Sequence, residues 1–465
     1  MKYKLTAVII IAACVSLHLQ AQDTVAKRLN NYMLAIQKLG FNGNVLVAKD
    51  GKIIFQQPFG YRNLDTKEPL DNNTVFTLAS VSKQFTAVAI LMLKEQHKLN
   101  LSDSLRQYFP ELPYHNVTIR QMLTHTSGLP DYFLFMGKYW DHNKIAHNAD
   151  LIRLLSEQKP PMLSKPGVKY HYSNTAYVLL AAIVEKVAGQ PFNAFVANRM
   201  FKPLHMTRSS VYTTLTDHIE RIPDYADGFT LSDSLKRYVP ANTVAAFKLV
   251  DYLAGTSGDK SVASTTADLL KWDRALKNGK VLNKTDLDSM VTPITLIDTA
   301  QKLYYGYGEE LGKTAFGNYI THEGIWPGYR TILTRYKEAD ITVEVLSNNE
   351  SDAIGTSIAL TNIMFHKELV LPYKHIEIKL DPEKFTAYLG NYLTPSPMQL
   401  IVHNNKLYRH KDGTPDIELK PESATKFFYG DASDRQIEFK IDTNGQVLKA
   451  YLIASGIRSE LTKIS

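Results

Sequence analysis

The fold is decided by residues 75–83, which read VFTLASVSK and lead into an apolar helical pattern. The run from Val75 to Ala79 is strand-like, and the apolar positions after Lys83 recur with helical spacing. Ser80 is therefore expected where a turn enters a helix, close to free backbone N–H groups. Residues three apart on a helix share a face, so the Lys83 ammonium group can reach the Ser80 hydroxyl.

The Ser80–Lys83 pair is typical of a nucleophile with its base. A serine is a weak nucleophile until a neighbouring base takes its proton. A lysine acts as that base only if burial or nearby positive charge lowers its pKa. The spacing alone is weak evidence, because it recurs at three sites where we expect exposed polar pairs. These sites are Ser156/Lys159, Ser257/Lys260 and Ser423/Lys426.

A second candidate segment reads YHYSN over residues 170–174. Nearby positive charge favours a phenolate, so Tyr172 is predicted to ionise readily and to carry protons between Ser80 and a leaving group. Asn174 offers both a donor and an acceptor to a substrate or to Lys83. The structural alternative is that Asn174 only caps a helix that begins at Thr175.

A third candidate segment reads HEGI over residues 322–325, directly after a strand-like run. A strand edge beside the nucleophile can supply an N–H group to an oxyanion, and Gly324 lets a substrate approach the backbone. The alternative is that His322 is an ordinary histidine at a strand end. Glu323 is expected to be exposed.

The order and spacing of these segments resemble the serine beta-lactamase and penicillin-binding-protein superfamily. The nearest members are class C beta-lactamases and their esterase and D-aminopeptidase relatives. That family carries Ser-x-x-Lys, then Tyr-x-Asn, then Lys-Thr-Gly or His-x-Gly, and the resemblance covers roughly residues 30–365. Three further stretches agree with it: LTHTSGLP at 123–130, PLHMT at 203–207 and TTADLLKW at 265–272.

The resemblance implies an acyl-enzyme mechanism. Ser80 would be acylated, Lys83 and Tyr172 would share the proton transfers, and Asn174 would contact the substrate. The backbone N–H groups of Ser80 and Ile325 would form the oxyanion hole.

One departure from class C beta-lactamases bears on the substrate. Their third motif begins with lysine, whereas this chain has His322 followed by Glu323 and Gly324. A lysine favours a substrate carboxylate, and a mostly neutral histidine does so less. We therefore expect hydrolysis of ester or D-amino-acid amide bonds, with a cell-wall DD-peptidase or a beta-lactamase as alternatives. A non-catalytic protein that binds cell-wall fragments is the alternative from a different class.

The patterning predicts an α/β (α+β) fold: an antiparallel sheet flanked by helices, with an inserted helical lobe. Asp50-Gly51 between two apolar runs predicts a hairpin. Predicted helices are at 117–125, 149–157, 175–188, 192–200, 266–277 and 353–364, and predicted late strands are at 319–321, 330–334 and 341–346. This hydrolase domain spans 22–370. The short strand-like segments at 376–465 predict a small β-rich C-terminal domain.

The N-terminus has the plan of a signal peptide over residues 1–21, since Lys2 and Lys4 precede an apolar stretch. Cleavage after Ala21 predicts an exported, periplasmic protein. The alternative is lipid attachment at Cys14, which alone would hold the protein at a membrane. Because Cys14 is the one cysteine, a chain that loses it has no disulfide and no cysteine nucleophile.

Composition excludes several other functions. The net charge is +7 over 465 residues, and no basic run interleaved with aromatic residues occurs, so nucleic acid is not an expected partner. There is no Gly-x-Ser-x-Gly elbow and no His-Glu-x-x-His metal motif. The expected partner is a small-molecule or peptide substrate, with no cofactor and no metal; the oligomeric state stays open.

Overall fold

The computed structural model describes residues 24–212, 222–393, 397–431 and 433–464. Within them the chain divides into two units: residues 41–357, and residues 24–40 together with those from 358 onward. The predicted signal peptide, with Cys14 and the cleavage position at Ala21, lies outside the described residues. The predicted division into 22–370 and 376–465 stays a prediction.

The first unit is built on an antiparallel sheet of eight strands, as predicted. The predicted hairpin is confirmed: Asp50 and Gly51 form a two-residue turn with φ angles of +52° and +73°. Positive φ at both turn positions matches the twist of the flanking strands. In spatial order the strands are Thr295–Asp298, Leu303–Tyr305, Glu310–Thr314, Gly317–Trp326, Tyr329–Tyr336, Ile341–Ser347, Gly43–Lys49 and Lys52–Phe59.

Between the hairpin and the other six strands the chain inserts the predicted helical lobe. Its two central helices, Lys83–Glu95 and Asn174–Ala188, pack against each other and are buried around most of their surface. A helix that is apolar all round belongs in a core, which explains their position. The other α-helices among the described residues of the lobe are Leu105–Tyr108, Ile119–Leu123, Tyr132–Tyr139, Asn148–Gln158, Phe192–Val196, Leu249–Tyr252, Thr266–Lys277 and Lys284–Met290.

A small sheet fixes the turn that carries Ser80. The strand Phe76–Thr77 pairs with Val262–Ser264. The Val262 N–H donates to Ser82 Oγ at 2.9 Å, so the segment that precedes Val262 lies against the start of the helix after Ser80. The remaining pairings of short strands are Ser210–Val211 with Val262–Ser264, Tyr61–Asn63 with Glu68–Pro69, and Phe229–Ser232 with Arg237–Pro240.

The second unit contains a helix over residues 24–38 and a closed eight-stranded barrel, which confirms the predicted β-rich C-terminal part. The helix Ala353–Met364 follows the last strand of the large sheet, as predicted, and the 3-10 helix Pro382–Tyr388 precedes the barrel. The barrel strands are Gly390–Leu393, Met398–His403, Lys406–His410, Ile417–Pro421, Lys426–Tyr429, Gln436–Ile441, Val447–Ala454 and Ile457–Ile464. Within the described ranges, no helix has the length and apolar content needed to cross a bilayer.

Candidate active site

Ser80 lies on a strained turn at the start of a helix. Ala79, immediately before it, has φ of +50°, a left-handed conformation that residues other than glycine avoid. A 3-10 turn over Ala79–Ser82 continues directly into the helix Lys83–Glu95, and Ser80 is half-buried. Strain of this kind persists only where surrounding contacts hold the backbone, and it is concentrated at active sites.

Lys83 is fully buried directly behind the Ser80 hydroxyl. Its Nζ lies 3.0 Å from Ser80 Oγ, 2.9 Å from Asn174 Oδ1 and 3.0 Å from the Asp259 carbonyl oxygen. Burial lowers the pKa of Lys83 to about 7, against the opposing pull of the carboxylates of Asp259 and Asp131. The amine is thus poised to take up and release a proton near neutral pH.

Asn174 connects this lysine to a neighbouring carboxylate. Ser173, not Asn174, caps the helix, because Ser173 Oγ accepts from the Ala176 N–H at 3.2 Å. The Asn174 side chain is therefore free for the site: Oδ1 accepts from Lys83, and Nδ2 donates to Asp131 Oδ2 at 3.1 Å. The structural alternative for Asn174, a plain helix cap, is wrong.

Tyr172 completes the group around the nucleophile. Its hydroxyl makes a hydrogen bond with Ser80, and Lys83 Nζ lies 4.8 Å from the centre of its ring. Burial raises the pKa of Tyr172 well above its usual value, and the hydrogen bond with Ser80 opposes that only in part. The expectation that nearby positive charge promotes a phenolate is therefore wrong, since desolvation outweighs it. Tyr172 is a neutral hydroxyl that can both donate and accept.

His322 is buried in the same cluster and is neutral. Burial and the charge of Lys83 lower its pKa to about 3. Its Nδ1 lies 2.6 Å from the Glu323 carbonyl oxygen and its Nε2 lies 2.9 Å from the Tyr305 hydroxyl. Nδ1 therefore carries the hydrogen and Nε2 accepts from Tyr305. A neutral ring with both nitrogens engaged offers no positive charge to a substrate carboxylate.

Gly324 brings its strand against the turn that precedes Ser80. A Cβ atom at Gly324 would clash with the Leu78 carbonyl oxygen and with Thr331 Oγ1, which are hydrogen-bonded to each other at 2.7 Å. In the described pairings the strand Gly317–Trp326 pairs with Glu310–Thr314 on one side only as far as Thr321. Beyond Thr321 it pairs only with Tyr329–Tyr336, on its other side. The next residues, including Ile325 with its exposed side chain, therefore have one unpaired edge beside the site.

Two acidic side chains lie next to that edge. Glu310 pairs in register with Thr321, and no cation among the described residues acts on its carboxylate. Burial and repulsion by Glu323 raise the pKa of Glu310 to about 7, and burial likewise raises the pKa of Glu323. Glu323 is half-buried, so the expectation that it is exposed is wrong. The charge of Glu310 contributes to the raised pKa of Tyr172.

Three functional neighbours were missed by the sequence reasoning. His125 is fully buried, accepts from the Ser173 N–H at 3.0 Å and lies with its ring 4.2 Å from that of Tyr172. Asp259 and Lys260 lie behind Lys83, although the Ser257/Lys260 repeat was expected to be an exposed pair. The run GTSGDKS over 255–261 could have signalled them, since small residues permit close backbone approach.

Among the residues that the structure describes, no three histidine, cysteine, aspartate or glutamate side chains are placed to hold a metal ion.

Known proteins resemble this chain in sequence and structure. The profile of the family described as Beta-lactamase matches residues 35–359. Penicillin-binding protein 4* of Bacillus subtilis is 35% identical over 414 residues, which cover 87% of this chain and 91% of that protein.

Solved structures show the same fold. The octameric penicillin-binding protein homologue of Pyrococcus abyssi superposes with a TM-score of 0.67 at 22% identity, covering 94% of this chain and 99% of that one. The D-amino acid amidase of Ochrobactrum anthropi SV3 superposes with a TM-score of 0.61 at 23% identity, covering 75% of this chain and 98% of that one.

Proposed function

The chain belongs to the beta-lactamase family of serine hydrolases, and on that premise we propose that Ser80 is its nucleophile and Lys83 its general base. The observation that carries the proposal is the environment of the Lys83 amine. Asn174 Oδ1 and the Asp259 carbonyl oxygen can only accept hydrogen bonds, so they take both hydrogens of a neutral amine. The remaining lone pair is left for the Ser80 hydroxyl proton.

The reaction proceeds through an acyl-enzyme. Lys83 takes the Ser80 proton as Ser80 Oγ bonds to the substrate carbonyl carbon. The N–H groups of Ser80 and Ile325 stabilise the oxyanion. Tyr172 donates its proton to the leaving group as the bond between the leaving group and the carbonyl carbon breaks, and it receives in exchange the proton that Lys83 took from Ser80. Water then attacks the ester on Ser80 by the same proton route, and the acid product leaves.

The substrate is proposed to be an ester or a D-amino-acid amide. A penicillin and a D-Ala-D-Ala terminus both carry a carboxylate, which a cation next to the third segment would favour. Here that segment has the neutral His322, and Glu310 acts on Tyr172. Glu323 follows His322 on the strand, so its side chain lies on the opposite face, where Arg330 acts on it. An ionised Glu310 disfavours an anionic substrate and suits a neutral ester or an amide that carries an ammonium group.

Replacement of the nucleophile tests the proposal directly. Ser80→Ala is expected to abolish hydrolysis and to abolish covalent labelling by a fluorophosphonate probe, with the circular dichroism spectrum unchanged. Ser156→Ala is the matched control, because Ser156 has the same spacing to a lysine, and it should label like the wild type. Persistent labelling of Ser80→Ala would overturn the proposal.

A substrate panel tests the chemical class. We expect turnover of short-chain esters and D-amino-acid amides, and little turnover of D-Ala-D-Ala peptides or a chromogenic cephalosporin. At a pH above the Glu310 pKa of about 7, where its carboxylate is ionised, Glu310→Gln should lower kcat/KM about tenfold for the cationic amide and leave that for a neutral ester unchanged. Preferred cleavage of the cephalosporin or the peptide would favour the beta-lactamase or DD-peptidase alternative. Slow acylation without turnover would favour the non-catalytic binding protein.

We also propose that the chain is exported, with cleavage after Ala21 or lipid attachment at Cys14. Relatives named penicillin-binding proteins support a cell-envelope location. The mass of the mature protein after fractionation distinguishes the two routes. A first residue at position 22 supports simple export to the periplasm, whereas a lipid-modified Cys14 in the membrane fraction supports anchoring.

A further inference from the structure

Lys260 is a buried lysine that the mechanism above does not use. Only 3% of its surface is exposed, and its Nζ lies 3.6 Å from the Asp259 carboxylate. The Nζ also donates to the Thr256 carbonyl oxygen at 3.2 Å and lies 5.2 Å from the centre of the Trp326 ring. Burial lowers the pKa of Lys260, whereas the Asp259 carboxylate favours its charged form, and the carbonyl and aromatic face around it hold the ammonium group in one place.

Asp259 connects this lysine to the proposed base. Its backbone carbonyl accepts from Lys83 Nζ, while its carboxylate accepts from the Tyr132 hydroxyl at 2.8 Å and faces Lys260. Removing Lys260 would leave the Asp259 carboxylate without its counterion, a few ångströms from Lys83. An unbalanced carboxylate there would stabilise the protonated form of Lys83.

Several other charged and titratable groups also surround Lys83. Asp131 favours the protonated amine, and Lys260 opposes it. The buried histidines are neutral because burial and the charge of Lys83 lower their pKa values, and the tyrosines are neutral because burial raises theirs. These neutral groups are His125, His322, Tyr172 and Tyr177. The charges that decide the protonation of Lys83 are therefore Asp131, Asp259 and Lys260.

We propose that Lys260 is a positioning residue for the hydrolytic reaction, which neutralises Asp259 and thereby keeps Lys83 in its proton-accepting form. Lys260 acts through Asp259 and through its own charge on Lys83, and it touches no reacting atom. Its contact with Trp326, the last residue of the strand that carries Gly324, also ties that strand to the Asp259 loop. The inference rests on the proposed role of Lys83 as base.

The test is the pH dependence of acylation by a neutral activated ester, measured as the pre-steady-state burst rate. The wild type is expected to show an apparent pKa near that of Lys83, about 7. Lys260→Met keeps the length and the apolar contacts but loses the charge. It should raise the apparent pKa by roughly one unit or more and approach the wild-type rate at high pH. Lys260→Arg keeps the charge and should keep the wild-type profile.

The opposite change provides a second variant. Asp259→Asn removes the carboxylate and leaves Lys260, so its apparent pKa should fall below that of the wild type. This variant also decides the matter if Lys260→Met fails to fold. The inference would be overturned if Lys260→Met lowered the acylation rate equally at every pH. It would also be overturned if Asp259→Asn and the wild type had the same pH profile of acylation. Failure of the proposed function is separate: it would show as a burst that survives in Ser80→Ala.

Discussion

The interior behind Ser80 and the interior of the C-terminal barrel are built from opposite kinds of side chain. Among the described residues from 390 to 464, Gln436 is the one buried polar side chain, and the core around it is aliphatic and aromatic. Behind Ser80, five lysine, histidine and aspartate side chains are each 3% exposed or less. They are Lys83, His125, Asp259, Lys260 and His322.

The difference shows where stability and chemistry are separated in this chain. Burying apolar surface in the barrel stabilises the folded state by about 25 cal/mol per Å². Burying an ionisable group costs free energy, and the cost is expressed as a shifted pKa. The shift at Lys83 is the property that the proposed mechanism needs, so part of the stability gained elsewhere is offset here.

The largest effect that tests this comparison is expected from Lys83→Met. Loss of the base should lower kcat/KM by about 10³- to 10⁴-fold. The free energy of unfolding should stay the same or rise, because an apolar side chain replaces a buried amine. Ester hydrolysis and urea unfolding measure the two quantities. Lys94→Met on the same helix is the control, since Lys94 reaches the surface and should leave activity unchanged. A marked loss of stability in Lys83→Met would contradict the comparison.

In the barrel core, by contrast, truncating a buried side chain should lower the free energy of unfolding. Phe427 is fully buried in its core, and Phe427→Ala is expected to lower the free energy of unfolding of that unit by about 3–5 kcal/mol. Urea unfolding followed by circular dichroism measures the loss. Leu448→Ala, at a position 65% exposed, is the control and should change it by less than about 0.5 kcal/mol. Equal losses in the two variants would show that burial does not set the stability of the barrel.

The smallest effect is a dependence of stability on pH. The pKa of Lys83 is about 7 in the folded chain and 10.5 as a free side chain. Between these values the unfolded chain binds the extra proton, so this group makes stability rise with pH, by up to about 1.4 kcal/mol per unit. From about pH 7.5 to 9.5 the free energy of unfolding of the wild type should therefore rise relative to that of Lys83→Met. A difference that is constant over this range would mean that Lys83 is not titrating there.

Most regular elements of the large unit were predictable because periodic patterns are local. The predicted helix at 175–188 is observed as Asn174–Ala188, and the predicted strand at 341–346 as Ile341–Ser347. The helix predicted at 192–200 was less accurate, since it ends at Val196 and a π-helical turn follows. Local spacing decides hydrophobic faces, but it does not decide where a helix changes its hydrogen-bond pattern.

The site was predictable where side-chain identity carries the role, and not where the backbone does. Ser80, Lys83 and Asn174 were chosen from their types and spacing, and they lie within hydrogen-bond distance. Asp259 accepts a hydrogen bond from Lys83 through its backbone carbonyl, a group that every residue has. The residue type at position 259 therefore could not indicate this contact. The direction of the Tyr172 pKa was missed for a related reason, since it depends on burial by residues distant in sequence.

Gly324 limits how this hydrolase can evolve. Any side chain at that position would displace either the turn before Ser80 or the neighbouring strand, so mutations there are lost regardless of the substrate under selection. Adaptation of the third segment must then occur at the neighbouring positions, which are His322, Glu323 and the exposed Ile325. A combinatorial library directed at a new acyl group would keep residue 324 invariant and diversify the three positions around it.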